Sequence, residues 1–262
     1  MTGQQPQLLD VDDAWGRRNL AWLQRKASSA SAARPGVFWL CGFNSVMTSN
    51  KASALDAWAE HEGRALTRFD YTGHGQSSGR FADGCIGQWL ADALAAFDRV
   101  TDGPQIVVGS SMGGYLALLL ALARRSQTQL AGLVLIAPAW NMTERLMWTE
   151  MDAETRTILA RDGVWMRPSA YGDAYPITLK LIEEGRSHLI DMFDLDLGCP
   201  LRILHGLKDA DVPFQGSVDL IRAQGDSDSR LIAVPDGDHR LAREQDIALL
   251  IRLIEGILAE DP

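Results

Sequence analysis

"QIVVGSSMGGYLALLL", residues 105–120, passes directly from a β-branched run into a Leu-rich one. Ile106, Val107 and Val108 favour a strand buried on both faces, and the leucines after Gly114 favour a helix. Between them, Gly109-Ser110-Ser111-Met112-Gly113 fits the spacing G-x-S-x-G in one frame only. Centring it on Ser110 would need glycines where Val108 and Met112 stand. A serine on a sharp strand-to-helix turn projects its hydroxyl above the sheet, beside the N-terminus of the next helix. Ser111 is therefore the expected nucleophile, with Ser110 as packing in the turn. The glycines are expected to permit the strained turn and to let neighbouring elements approach closely.

Outward from this turn, short apolar runs alternate with helical stretches. VFWLCG (37–42), ALTRFDY (65–71), LAGLVLIAP (130–138), LRILHG (201–206) and SRLIAVP (229–235) read as strands. Helices are expected over 49–62, 86–100, 112–124, from about 214, and over 242–258, while SSASAARPG (28–36) reads as a loop. This alternation implies an α/β fold with a mostly parallel central sheet flanked by helices. Residues 139–198 break the rhythm, being helix-rich and strand-poor, with Trp and Met concentrated early. The expected division is a core of 1–138 and 199–262 with a helical cap or lid over 139–198; a separate packed layer is the alternative. As a lid, its apolar underside would line a substrate pocket through Trp140, Met142, Trp148 and Trp165, with Asn44 opposite.

A serine nucleophile needs a base, and the histidines are His61, His74, His188, His205 and His239. Hydrolases built on such an elbow place their triad in the chain order Ser, acid, His. The acid is expected just after the strand that follows the interruption, where LRILHGLKDADVP supplies Asp209. Only His239, in PDGDHR, lies beyond it. Asp211 is the rival acid, and Asp196 precedes the strand, at the wrong end of the sheet. An oxyanion needs N–H donors, expected from Met112 and from the loop CGFNSVMTSN. There Gly42 lets the backbone turn and Phe43 is the expected donor, with Asn44 and Ser45 as alternatives. His74, in TGHGQSSG, reads as a packed turn residue, and that stretch lacks the third glycine of a dinucleotide fingerprint. No histidines have zinc spacing and Cys41, Cys85 and Cys199 complete no site, so neither metal nor organic cofactor is expected.

Composition narrows the partners. A formal net charge of −9 over 262 residues argues against a phosphate-binding surface and hence against nucleic acid. Three widely spaced cysteines suggest no disulfide framework. The first twenty residues contain no apolar core and carry three aspartates, and no apolar run approaches a membrane span. The expectation is a cytoplasmic protein in which Asn141-Met142-Thr143 is a fortuitous glycosylation match.

GFNS, FDYTGHGQSSG, GSSMGG, HGLKDADVP and DGDHR stand in the order found across the α/β-hydrolase superfamily. From about Arg17 onward the chain further resembles the palmitoyl-protein thioesterase and acyl-glucuronide esterase family, in a bacterial-type form. "GPQIVVGSSMGGYLALLLA", "GVWMRPSAYG" and "DHRLAREQDIALLI" carry that closer likeness. The resemblance implies cleavage of acyl esters or thioesters, with Ser111, Asp209 and His239 at the matching triad positions. Mitochondrial members carry a transit segment and none is visible in this sequence, so a small acyl metabolite joins acylated protein among the expected substrates. The same triad supports hydrolysis of a C–C bond, lactone or peptide, and the fold also serves non-catalytic ligand binding. Filled triad positions and the apolar insertion favour acyl esters and thioesters.

Overall fold

The structure, a computed structural model, describes residues 4–125, 129–168, 173–225 and 227–260. The chain opens with β1 (Gln7–Asp13) and β2 (Gly16–Arg25). It then alternates through β3 (Gly36–Leu40), α1 (Asn50–Glu62), β4 (Leu66–Phe69), α2 (Ile86–Val100), β5 (Gln105–Ser110), α3 (Met112–Arg124) and β6 (Leu130–Ile136). A π-helical turn (Thr143–Trp148), α4 (Ala153–Asp162), β7 (Val164–Arg167), β8 (Tyr175–Thr178) and α5 (Leu179–Gly185) follow. The alternation resumes with β9 (Leu201–Gly206), α6 (Gln215–Ala223), β10 (Ser229–Val234) and α7 (Glu244–Glu260).

Eight strands form one sheet in the order β1-β2-β4-β3-β5-β6-β9-β10. From β4 to β10 every neighbouring pair is parallel, and β1 and β2 add an antiparallel edge. The α/β architecture with a mostly parallel sheet is thus as the alternating pattern implies. β3 and β5 are buried along their whole length, which is why they read as continuous apolar runs. α3 is buried from Met112 to Ala121 because it packs against the sheet on one side and α2 on the other. α1 and α7 pack together.

Two expectations need correction. No strand was expected before residue 37, yet β1 and β2 occupy 7–25. This hairpin is fastened by Arg18, whose guanidinium donates to Asp92 on α2 at 2.6 Å and to both oxygens of Asp13 at 2.6 and 2.9 Å. The interruption is not purely helical either, since β7 and β8 pair antiparallel within it. Residues 169–172, which end the "GVWMRPSAYG" stretch, lie outside the described residues.

Parallel register sets where chemistry can happen. Leu40 pairs with Gly109, Ser110 with Ile136, and Ile136 with Leu204. The carboxyl ends of β3, β5, β6 and β9 therefore finish level, and the segments that follow them emerge along one edge of the sheet. Crevices outside the carboxyl ends of parallel strands are where α/β proteins bind ligands.

Candidate active site

Ser111 ends the turn from β5 into α3 with φ 55° and ψ −117°, a conformation non-glycine residues rarely adopt. Its backbone is held from several sides. The Ser111 N–H donates to Ile136 O at 2.9 Å, and its carbonyl accepts from Gly114 N at 2.9 Å and Ala139 N at 3.1 Å. The strain falls on the serine itself; Gly109, Gly113 and Gly114 all have ordinary φ. They serve the close approach instead. A Cβ on Gly109 would run into the Gly113 carbonyl, and one on Gly113 into the carbonyl of Leu40.

The three polar groups expected from the sequence meet here. Ser111 Oγ lies 3.1 Å from His239 Nε2, and His239 Nδ1 lies 2.8 Å from Asp209 Oδ2. A carboxylate only accepts, so Nδ1 carries the proton and Nε2 is left to accept from the Ser111 hydroxyl. Asp209 Oδ1 accepts two further bonds, from the N–H groups of Asp211 and Val212, each at 2.9 Å. Burial by itself would raise the Asp209 pKa. The hydrogen bonds from His205 and His239, the His239 charge and the Val212 N–H outweigh it and hold the carboxyl well below the usual carboxylate range. Asp211 is exposed on the cleft wall beside His239, its backbone N–H serving Asp209.

His239 rides on a short loop between β10 and α7 that is tied at several points. Leu241 N donates to Asp238 Oδ1 at 3.0 Å, and Arg243 bridges Asp236 and Asp246. Lys51 Nζ, from α1, donates to the Arg240 carbonyl, and burial lowers its pKa to about 8.

Met112 is the first residue of α3, so its N–H is one of those an α-helix leaves without an internal partner. On the facing loop after β3, the positive φ falls on Asn44 (53°). Ser45 N–H is taken up by the Gly42 carbonyl at 3.2 Å, which sets that alternative donor aside from Phe43 and Asn44. The loop is pinned to the turn after β4 by Asp70, which accepts from Met47 N at 2.7 Å and Gln76 N at 2.9 Å. The Phe43 ring packs edge-on against Phe81, Tyr175 and Trp89 at 4.8, 5.6 and 5.7 Å.

Ser111 and His239 open into a cleft of about 820 Å³. Of the expected pocket residues, Asn44 and Met142 line it, together with Phe43. Trp140, Trp148 and Trp165 lie outside its lining. Trp140 is buried, donates its indole N–H to Gly216 O at 3.0 Å and carries the Arg145 guanidinium on its face. Trp148 stacks with Arg156 and Arg186, and Trp165 packs against the core. The walls missed from sequence include Phe81, Leu146, Met147, Arg167, Tyr175 and Val212. Met147 and Leu146 share the expected Met-rich run, but nothing in the spacing said that the π-helical turn aims them inward. Asn141 is buried, with its side-chain amide bonded both ways to the Ile190 backbone.

His74 is 4% exposed and packs edge-on against Tyr71, Phe81 and Trp89. Burial lowers its pKa to about 4. A second Ser–His pair, Ser217 with His205 at 2.7 Å, is wholly buried and meets no cleft. Among the described residues, Asp209, Asp211 and His239 are the one group of three acidic or imidazole side chains with ligand atoms within 4.8 Å of one another. Their hydrogen bonds to each other and to backbone occupy both Asp209 oxygens and His239 Nδ1, so the arrangement suits proton transfer better than a cation. No helix among the described residues is long and apolar enough to cross a membrane.

Residues 33–180 match the family model described as "Serine aminopeptidase, S33". The chain is 33% identical to human "Palmitoyl-protein thioesterase ABHD10, mitochondrial" over 242 residues, covering 92% of this chain and 76% of that one. The structure of a putative hydrolase from Agrobacterium vitis S4 superposes with a TM-score of 0.92 at 37% identity, covering 97% of this chain and 98% of that chain. Mouse alpha/beta hydrolase domain-containing protein 10 superposes with a TM-score of 0.84 at 32% identity, covering 97% and 99%.

Proposed function

This chain belongs to the S33 family of α/β-hydrolases, related to ABHD10 palmitoyl-protein thioesterase, and we propose that it hydrolyses carboxylic ester or thioester bonds of acyl substrates through Ser111, His239 and Asp209. The observation that carries this reading is the continuous chain of contacts from Ser111 Oγ through His239 to Asp209, at 3.1 and 2.8 Å, at the floor of a cleft.

In the first half-reaction His239 Nε2 takes the Ser111 proton as Oγ attacks the acyl carbon. Asp209 keeps the ring in the tautomer this requires and stabilises the imidazolium. The oxyanion is received by the Met112 N–H, aided by the positive end of α3, and by the Phe43 N–H opposite. The tetrahedral species collapses, the C–O or C–S bond breaks, and His239 returns the proton to the leaving alkoxide or thiolate. Water then repeats the sequence against the acyl-serine and releases the acid.

Residues 139–198 act as the cap, through Met142, Leu146 and Met147 on the π-helical turn and Tyr175 on the small sheet. An apolar wall of this kind favours an acyl chain, and the cleft volume lies within the roughly 300–1,000 Å³ of small-molecule sites. The name of the mammalian relatives supports the thioester half of the proposal.

The test is hydrolysis of p-nitrophenyl esters and of acyl thioesters of rising chain length. Each buried methylene is worth about 0.8 kcal/mol, so kcat/KM should climb up to about fourfold per carbon until the apolar wall is filled. Preferential turnover of peptides, lactones or C–C bonds, with no activity on any acyl ester or thioester, would overturn the proposal.

A further inference from the structure

The triad acid sits on a loop, yet it is clamped to the sheet by a side chain that no catalytic step has used. His205 is the fifth residue of β9, fully buried, with its ring edge-on to Phe214 at 5.4 Å. Its Nε2 faces two acceptors, the Val212 carbonyl at 3.0 Å and Asp209 Oδ2 at 3.2 Å. Neither can donate, so Nε2 carries a proton shared between them; in the neutral ring Nδ1 then accepts from the Ser217 hydroxyl at 2.7 Å. Ser217, on α6, is also fully buried. Neither residue can touch substrate.

We propose that His205 is a positioning residue for the acid. Its Nε2–H fixes Asp209 Oδ2 toward His239 and closes the loop over 206–212, while Ser217 fixes the orientation of the His205 ring. The proposal rests on the triad reading above. It differs from plain packing because the same oxygen, Asp209 Oδ2, takes both imidazoles, at 3.2 Å from His205 and 2.8 Å from His239. A second donor on that oxygen draws charge away from the His239 contact. Removing it leaves a more basic carboxylate facing His239, which holds the His239 proton more tightly.

The groups around His239 whose charge enters this balance are Asp209 and Asp211 after β9, and Asp238 and Arg240 on its own loop. Lys51 from α1 and Arg167 and Asp173 across the cleft complete the set. Substitutions at 205 or 217 replace none of these residues, and Asp209 is the one of them whose own hydrogen bonding changes with His205.

The experiment measures kcat/KM against pH with p-nitrophenyl butyrate for wild type, His205→Leu, His205→Gln and Ser217→Ala, with thermal unfolding of each and Ser111→Ala alongside. Leu removes the donor; Gln keeps an N–H where Nε2 stood. For His205→Leu the acid limb should move to higher pH by about half a unit or more. Its plateau kcat should fall by tenfold to about a hundredfold with KM held, as for a misaligned catalytic group. His205→Gln should restore the limb and most of kcat. Ser217→Ala should move the limb the same way by less, which keeps the test alive if His205→Leu does not fold. An unmoved limb in the folded variants, or Leu and Gln behaving alike, overturns the positioning role. Undiminished activity in Ser111→Ala would instead overturn the triad reading itself.

Discussion

His74 and Ser111 hold opposite kinds of strain in the same site. Ser111 carries its strain in the backbone, with φ at 55°. His74 carries its own in buried polarity, since its Nε2 has no hydrogen-bond partner among the described residues and the ring packs against Trp89 and against Phe81, which lines the cleft. Burial lowers the His74 pKa from the ordinary 6.5 to about 4. Between these values the unfolded chain binds a proton that the folded chain refuses, so stability falls as pH drops from 6.5 toward 4 and then levels. At pH 4.5 the loss from this one group is about 2–3 kcal/mol. Burial shifts the carboxyls of Asp70 and Asp92 upward, and these pull the other way at the acid end of that window. The comparison that isolates His74 is therefore urea unfolding of wild type and His74→Phe at pH 7 and pH 4.5. His74→Phe should lose less stability on acidification than wild type does, by about 2 kcal/mol. Equal losses would show that His74 does not set the acid sensitivity.

At the scale of elements, β5 and α3 meet so closely that glycine chemistry decides whether the turn can form. A Cβ at Gly113 runs into the Leu40 carbonyl, a backbone atom that cannot step aside. Gly256, inside α7, has nothing within 4 Å of the same added atom. One chemical change should thus act with opposite signs. Gly113→Ala should destabilise by roughly 3 kcal/mol through overpacking, and Gly256→Ala should stabilise by about 0.5–1 kcal/mol through helix propensity. Denaturant midpoints of the two variants check both signs at once. The β5 and α3 segments were legible in the sequence because burial on both faces leaves an uninterrupted apolar run, and α2 was legible because its apolar residues keep to one face. β1 was not, because only Leu9 and Val11 of this edge strand turn inward, and the aspartates at 10, 12 and 13 make the segment read as a polar stretch. The hairpin that β1 forms with β2 is fastened to α2 by a long-range ion pair, Arg18 of β2 to Asp92, which no local pattern announces.

Across the whole molecule, the site is a product of register. Level strand ends bring Ser111, the Phe43 loop and the Asp209 loop to one edge, and the last loop adds His239. The chain order of the three triad residues could be read without a structure, because strand–helix alternation dictates which loops share that edge. The cleft walls could not. Trp140, Trp148 and Trp165 share their composition with Met142 and Met147, and only the fold of 139–198 decides which of them faces the serine. In the proposed function, specificity thus belongs to a part of the chain whose geometry is set by tertiary packing, while the proposed chemistry belongs to the part set by local pattern.

In the proposed function Ser111 is the nucleophile and His239 activates it. Fluorophosphonate labelling followed by peptide mass spectrometry tests this most directly. A single adduct is expected on the peptide containing Ser111, abolished in Ser111→Ala and slowed by orders of magnitude in His239→Ala, as losses within a triad are. Labelling at another serine, or undiminished labelling in either variant, would contradict it.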